Sequence, residues 1–205
     1  MDDGFERGPD GRSTDLPSGG GVPSWLEASL KFCSRCGGPL VFGQISGEDR
    51  KRLACEACGH IAYVNPRLVV TTFPITDAGE IILIRRGIEP GLGSWAQPGG
   101  FLEVDETVHQ AAIRETWEET GLLVEPGEIV GLYTRLEASV VTIAFEARIV
   151  GGTAAPTLEA TEVVAFAPED IPWPGIAFTT THYALRDLMA RRHPELEVPP
   201  VSSGR

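Results

Sequence analysis

Between residues 105 and 120 the chain carries a helical pattern whose apolar stripe is completed by acids. At 100° per residue, Val108, Ala111, Ala112, Glu115 and Glu119 fall on one face. Thr107, with Gln110 three residues later, is a capping-box start, and Gly121 is a natural stop. The face that should be buried therefore holds two carboxylates, with Glu118 flanking its edge. A solvated acidic face with Arg114 paired to Glu118 is the bland alternative. It does not explain why the acids continue the apolar stripe, and uncompensated buried carboxylates are too costly to persist. Three clustered glutamates exceed the local cations, so a divalent ion is the natural partner. Oxygen-only ligation suits Mg²⁺ or Mn²⁺ rather than zinc. The loop just ahead, Gln97-Pro98-Gly99-Gly100, brings backbone groups close to the helix, as phosphate–metal chemistry would use.

A second constraint lies upstream. Cys33-x2-Cys36 and Cys55-x2-Cys58 are separated by eighteen residues, a spacing that suits four thiolates on Zn²⁺. Gly37 and Gly59 follow the pairs and permit the tight turns that fold amides around sulfur. Four thiolates close the zinc shell and leave no position for water or substrate, so the zinc is expected to be structural. A redox or nucleic-acid-binding ribbon is the competing reading. His60 is a packing or surface residue rather than a fifth ligand.

These motifs divide the chain into a leader (1–24), a cysteine ribbon (31–65), a main domain (66–193) and a tail (194–205). Leader and tail are rich in Gly, Pro and Ser and read as flexible. In the main domain, strands are expected over 68–75, 81–85, 129–136, 140–150 and 163–167, and helices over 105–120 and 181–192. That order implies an α+β fold with a mixed sheet and helices on its faces. Lys and Arg number 17 against 29 Asp and Glu, so the net charge is 17 − 29 = −12. Such a balance opposes non-specific grip on nucleic acid, although Lys31, Arg35, Arg50, Lys51 and Arg52 make the ribbon locally basic. No apolar run reaches the ~18–20 residues of a membrane span, and residues 1–4 lack the start of a signal peptide. The compartment is therefore expected to be reducing, and the protein cytoplasmic.

The segment from Gly100 to Leu122 resembles the Nudix hydrolase signature G-x5-E-x7-R-E-U-x-E-E-x-G-U, where U is apolar. Gly100, Glu106, Arg114, Glu115, Glu118, Glu119, Gly121 and Leu122 match, and Thr116 departs at one U position. The ribbon ahead of the box, with Tyr63-x-Asn65-Pro66 between, resembles the zinc-ribbon branch, which includes NADH, ADP-ribose and FAD pyrophosphatases. The resemblance implies a Nudix α/β/α sandwich that cleaves a nucleoside diphosphate linked to a group X, giving a nucleoside monophosphate and a phosphorylated remainder. It implies that Glu115, Glu118, Glu119 and the Gly99 carbonyl hold Mg²⁺ or Mn²⁺, that Arg114 orients the glutamates and that Glu106 supports Arg114. Cys33, Cys36, Cys55 and Cys58 would hold the structural Zn²⁺.

NADH pyrophosphatases carry a Ser-Gln-Pro-Trp-Pro-Phe-Pro run after the box, where this chain has Leu123-Val124-Glu125-Pro126-Gly127-Glu128. ADP-ribose or FAD is therefore favoured. Glu162 lies where relatives of that kind carry an acid beside the metal site, or else it is a surface charge. Trp95, Phe73 and Tyr133 are candidates for stacking a base, and Arg85 and Arg86, at a strand end, for meeting phosphates or else pairing with surface acids. A dinucleotide or nucleotide-sugar is the expected partner, with no membrane or nucleic acid, and a homodimer is left open. The alternatives are an NADH or NAD-cap pyrophosphatase, a non-catalytic sensor of ADP-ribose-type nucleotides, and a ribbon-based RNA module.

Overall fold

The computed structural model describes residues 29–200, so the expected leader and the end of the tail lie outside the described residues. The chain divides into two compact units, Met1–Asn65 and Pro66–Arg205.

The first unit is a three-stranded antiparallel sheet, β1 (Leu40–Gly43), β2 (Arg52–Cys55) and β3 (Ile61–Ala62), in that order. Cysteine pairs sit on two tight turns. The Gly37 amide donates to the Cys33 carbonyl and the Gly59 amide to the Cys55 carbonyl, each at 2.9 Å. Gly37 and Gly59 take φ of 74° and 69°, the left-handed region where a side chain is strained. Among the described residues of this unit, only Leu53 joins Cys33 and Cys55 as a buried apolar residue. So small an apolar core needs a staple.

In the second unit, β4 (Arg67–Ile75), β5 (Ile81–Arg86), β8 (Leu122–Arg135), β9 (Val140–Gly152) and β10 (Ala160–Phe166) form a mixed sheet in the order β10-β5-β4-β9-β8. β4 and β9 run parallel from Arg67↔Val140 to Ile75↔Arg148, whereas the other pairs are antiparallel. β4 and β5 touch only at Ile75↔Ile81 and then splay. The short strands β6 (Trp95–Ala96) and β7 (Gly99–Phe101) fill the fork, pairing with β5 and β4 respectively. The Gln97-Pro98 turn between them is anchored by the Thr72 amide, which donates to the Pro98 carbonyl at 3.0 Å.

A helix covers each face. α1 (Val108–Thr120) lays Ala111 and Ala112 on Val70 and Phe145, while α2 (Thr179–Arg192) packs Ala184, Leu185, Leu188 and Met189 on Phe73, Leu83 and Ala144. The α1 start is the expected box: Gln110 N–H donates to Thr107 Oγ1, and Gln110 Oε1 accepts from the Thr107 amide. Gly121 closes it at φ 70°.

Three expectations need revision. α1 begins at Val108 rather than 105, since residues before the Thr107 cap are turn. The expected strand at 129 begins at Leu122 and runs through Pro126 and Gly127; β8 is a sheet edge, and its register shifts absorb those residues. In the expected tail, Val198 packs against the α2-side core. Among the described residues no helix is long and apolar enough to cross a membrane.

Candidate active site

The fork opens a cleft of about 530 Å³ whose floor carries Gly99, Gly100, Glu115 and Glu119. Sequence explains the close approach. A Cβ at Gly100 would stand 2.5 Å from the Glu115 carboxyl, and one at Gly99 would strike the Val70 carbonyl at 2.3 Å. Only glycines let the β7 backbone lie against the glutamates.

Glu119 is 8% exposed, and one carboxylate oxygen accepts from the Gly99 amide at 2.8 Å. Burial pushes its carboxyl up to about 7; the Gly99 amide and the Arg86 charge work against that shift, and Glu115 and Glu159 reinforce it. Glu115 is also raised, first by burial, while its ion pair with Arg114 pulls the other way. Two carboxylates disfavoured as anions and facing one cavity are a donor set that suits a hard divalent cation. Glu118 does not join them, being exposed and paired with Arg114 at 3.1 Å.

Arg114 is the hub. Its guanidinium reaches Glu106 at 2.5 Å, Glu115 at 2.7 Å and the Phe101 carbonyl at 3.1 Å. The Arg114 hydrogen bonds and the Glu103 amide hold the Glu106 carboxyl down to about 2. Thr116, the polar residue at a position where the box has an apolar one, is fully buried. It donates to the Ala112 carbonyl at 2.6 Å and meets the Thr72 hydroxyl at 2.6 Å, tying α1 to β4 between the two glutamates.

In the ribbon the four Sγ atoms lie within 4.8 Å of one another, and the Cys33–Cys58 and Cys36–Cys55 pairs are 3.8 and 3.5 Å apart. Zinc–sulfur bonds of ~2.3 Å place tetrahedral sulfurs ~3.8 Å apart, so the set fits Zn²⁺ and is far too long for disulfides. Burial pushes the Cys55 thiol up, but the Cys58 amide, Cys36 and the Ala57 amide bring it down to about 7, whereas at Cys36 the Gly38 amide pulls down and Cys58 and Cys55 push the thiol up to about 12. Gly38 must stay small, since a Cβ there would meet the Ala57 Cβ at 2.8 Å. Among the described residues no second group of three or more metal-type side chains gathers this way.

The Nudix domain model matches residues 65–187, and the Nudix N-terminal zinc-ribbon model matches residues 31–64. The chain belongs to the Nudix family. An ADP-ribose pyrophosphatase of Methanocaldococcus jannaschii is 33% identical over 114 residues, covering 54% of this chain and 67% of that protein. An NAD-capped RNA hydrolase, NudC, of Stutzerimonas stutzeri is 27% identical over 172 residues, 83% of this chain and 60% of that one. A crystal structure of a Nudix hydrolase from Nitrosomonas europaea aligns with TM-score 0.76 and 36% identity, over 80% of this chain and 93% of that chain. This chain spans between about a third and two thirds of the length of the first curated relatives it matches. Nudix hydrolases use divalent metals.

Other expected site residues fall outside the Nudix cleft. Phe73 is fully buried in the α2-side core, because alternation along β4 turns it inward with no face left for a base. Tyr133 packs on that same core and donates to Asp187 at 2.7 Å. Trp95 sits edge-on to Phe166, with centroids 5.0 Å apart, and partly covers the same core. Glu162 and Arg85 are cross-strand partners in an exposed 2.8 Å ion pair, and neither lines the cleft. The acid from this stretch that does line it is Glu159, just before β10. Arg67, Arg86, Arg135, Phe101 and Phe178 also line it; of these, sequence reasoning had singled out only Arg86, as a phosphate contact beside Arg85 at a strand end, and passed over the other four as site residues.

Proposed function

We propose that this Nudix protein is a divalent-metal-dependent pyrophosphohydrolase that cleaves the diphosphate of a nucleoside diphosphate–X substrate, with ADP-ribose or FAD ahead of NADH. The reading is carried by Glu119, a buried carboxylate bonded to the Gly99 amide at the floor of an open cleft, with Glu115 beside it. Glu115, Glu119 and the Gly99 backbone would hold Mg²⁺ or Mn²⁺, with Glu118 reaching the site only by leaving Arg114. The bound ion supplies charge neutralisation on phosphate oxygens, the main requirement of phosphoryl transfer. Arg114, fixed by Glu106, orients Glu115. Glu159 lines the same cavity and would accept a hydrogen bond from the attacking water. Water forms one P–O bond, the bridging P–O bond breaks, and AMP leaves with a phosphorylated X.

The relative named ADP-ribose pyrophosphatase and the missing proline–tryptophan run favour ADP-ribose or FAD. The likeness to an NAD-capped RNA hydrolase extends over 83% of this chain and supports the second reading, an NADH or NAD-cap pyrophosphatase. The deciding experiment measures AMP release from ADP-ribose, FAD, NADH and NAD-capped RNA with Mg²⁺ and with Mn²⁺. A kcat/KM for NADH or capped RNA above both other substrates would replace the first reading by the second. No release from any would leave a nucleotide sensor.

A further inference from the structure

We propose that Arg86 and Arg135, both held against the ring of Phe178, form an anion clamp that binds the substrate's diphosphate, with Phe178 as its positioning residue. This rests on reading the cleft as a nucleoside-diphosphate site, and adds which side chains meet the phosphates. All three residues line the cleft. The guanidinium carbon of Arg86 stands 5.0 Å from the Phe178 centroid and that of Arg135 5.4 Å. A ring contact engages a guanidinium without using its N–H donors.

Those donors are largely unspent. Among the described residues, Arg86 gives only Nε, to the Pro90 carbonyl at 2.7 Å. Arg135 Nε is buried and makes no hydrogen bond, although the exposed Glu137 carboxylate lies 3.2 Å away. Arg85, Arg114, Arg148 and Arg192 each hold a carboxylate by hydrogen bonds, whereas Arg135 has only the ion pair with Glu137 and, among the described residues, Arg86 has no carboxylate partner. Two cations gathered on one ring repel each other, and the attraction of the ring, ~0.5–1 kcal/mol each at partly exposed sites, does little to offset this. A phosphate anion between them would. Phe178 is also the N-cap of α2 and offers that helix no side-chain cap, so the positive end of a fourteen-residue helix faces the same place. Fixed guanidiniums read phosphate rather than base or sugar.

The test is calorimetric titration with ADP and with adenosine, Mg²⁺ in the buffer. Wild type should bind ADP at least tenfold tighter than adenosine. Arg86→Gln and Arg135→Gln should each weaken ADP about tenfold and leave adenosine unchanged. Arg148→Gln, at an exposed ion pair away from the cleft, should change neither. Phe178→Leu should weaken ADP about fivefold without lowering the melting temperature, and Phe178→Tyr should restore it. ADP binding no better than adenosine, or ADP affinity within twofold of wild type in both arginine variants, would overturn the clamp. If ADP affinity keeps its arginine dependence while no nucleoside diphosphate–X is hydrolysed, the hydrolase reading fails and the clamp stands.

Discussion

The ribbon and the cleft both collect metal-type ligands, and they do so in opposite ways. In the ribbon, four sulfurs already take near-tetrahedral spacing, set by two glycine turns and a three-strand sheet. In the cleft, Glu119 is buried and Glu115 half-buried, both as reluctant anions, and Glu118 is tied up by Arg114. A complete, closed ligand set serves folding, because it leaves the ion nothing else to bind. An incomplete, open one serves chemistry, because water and phosphate must fill the remaining positions.

The largest expected effect breaks the closed site. Cys33→Ser removes one of its two buried thiols, and structural zinc in small domains contributes ~10 kcal/mol or more to folding. Metal analysis should show zinc falling from about one per chain toward none, with a lower melting temperature. A variant as stable as wild type that has lost turnover would make this zinc catalytic and erase the contrast.

Next comes the open site. Glu119→Gln keeps volume and removes the charge, and a neutral amide is a poor partner for a hard cation. We expect kcat for AMP release to fall on the order of 10³, ~4 kcal/mol, with folding intact. Glu125→Gln should stay within a few-fold of wild type. Glu125 lies in β8, not in the loop expected from sequence, and pairs with Arg148 away from the cleft. Near-normal kcat for Glu119→Gln at saturating Mg²⁺ would remove this residue from the metal site.

A smaller effect tests burial itself. Because Glu119 is held up at about 7, folding favours its protonated form. That stability is present below the ordinary carboxyl value near 4.5 and is lost as pH rises through 7. Without added divalent metal, the wild-type melting temperature should therefore drop between pH 5 and 8 relative to Glu119→Gln. The gap should be ~1–3 kcal/mol, a few degrees, and Mg²⁺ should narrow it at the upper end. Parallel melting curves over that range would show that the carboxylate is not strained by burial.

What could be read in advance was whatever local spacing decides. Cysteine spacing, the Thr107–Gln110 box, the Gly121 stop and the stripe ending in Glu115 and Glu119 all live within a few turns of chain. What could not be read depends on pairing across the sheet. Glu162 faces Arg85 only because β10 meets β5 in that register, with a shift between Ala160 and Glu162, and this leaves Glu159 at the cleft. β6 and β7, two and three residues long, carry no periodicity, yet they make the fork. Arg135 and Phe178 lie 43 residues apart in sequence and meet only when α2 is docked.

The smallest effect asks what keeps the open site in place without an ion. Thr116 Oγ1 gives its hydrogen to the Ala112 carbonyl, so the hydrogen in its 2.6 Å contact with Thr72 must come from Thr72. The two truncations should therefore be unequal. Thr72→Val takes away a donor, and Thr116 keeps its bond to Ala112, a loss of ~1 kcal/mol. Thr116→Val leaves the fully buried Thr72 hydroxyl with no acceptor, which should cost about 1–3 kcal/mol. In the double variant two methyls face each other and no donor is stranded, so the loss should be smaller than the sum of the singles. Chemical denaturation of the four proteins measures this. Equal single losses that add in the double variant would mean the hydroxyls do not form this directed pair. The link between α1 and β4 would then be packing alone, as at the apolar residue the box normally has in this position.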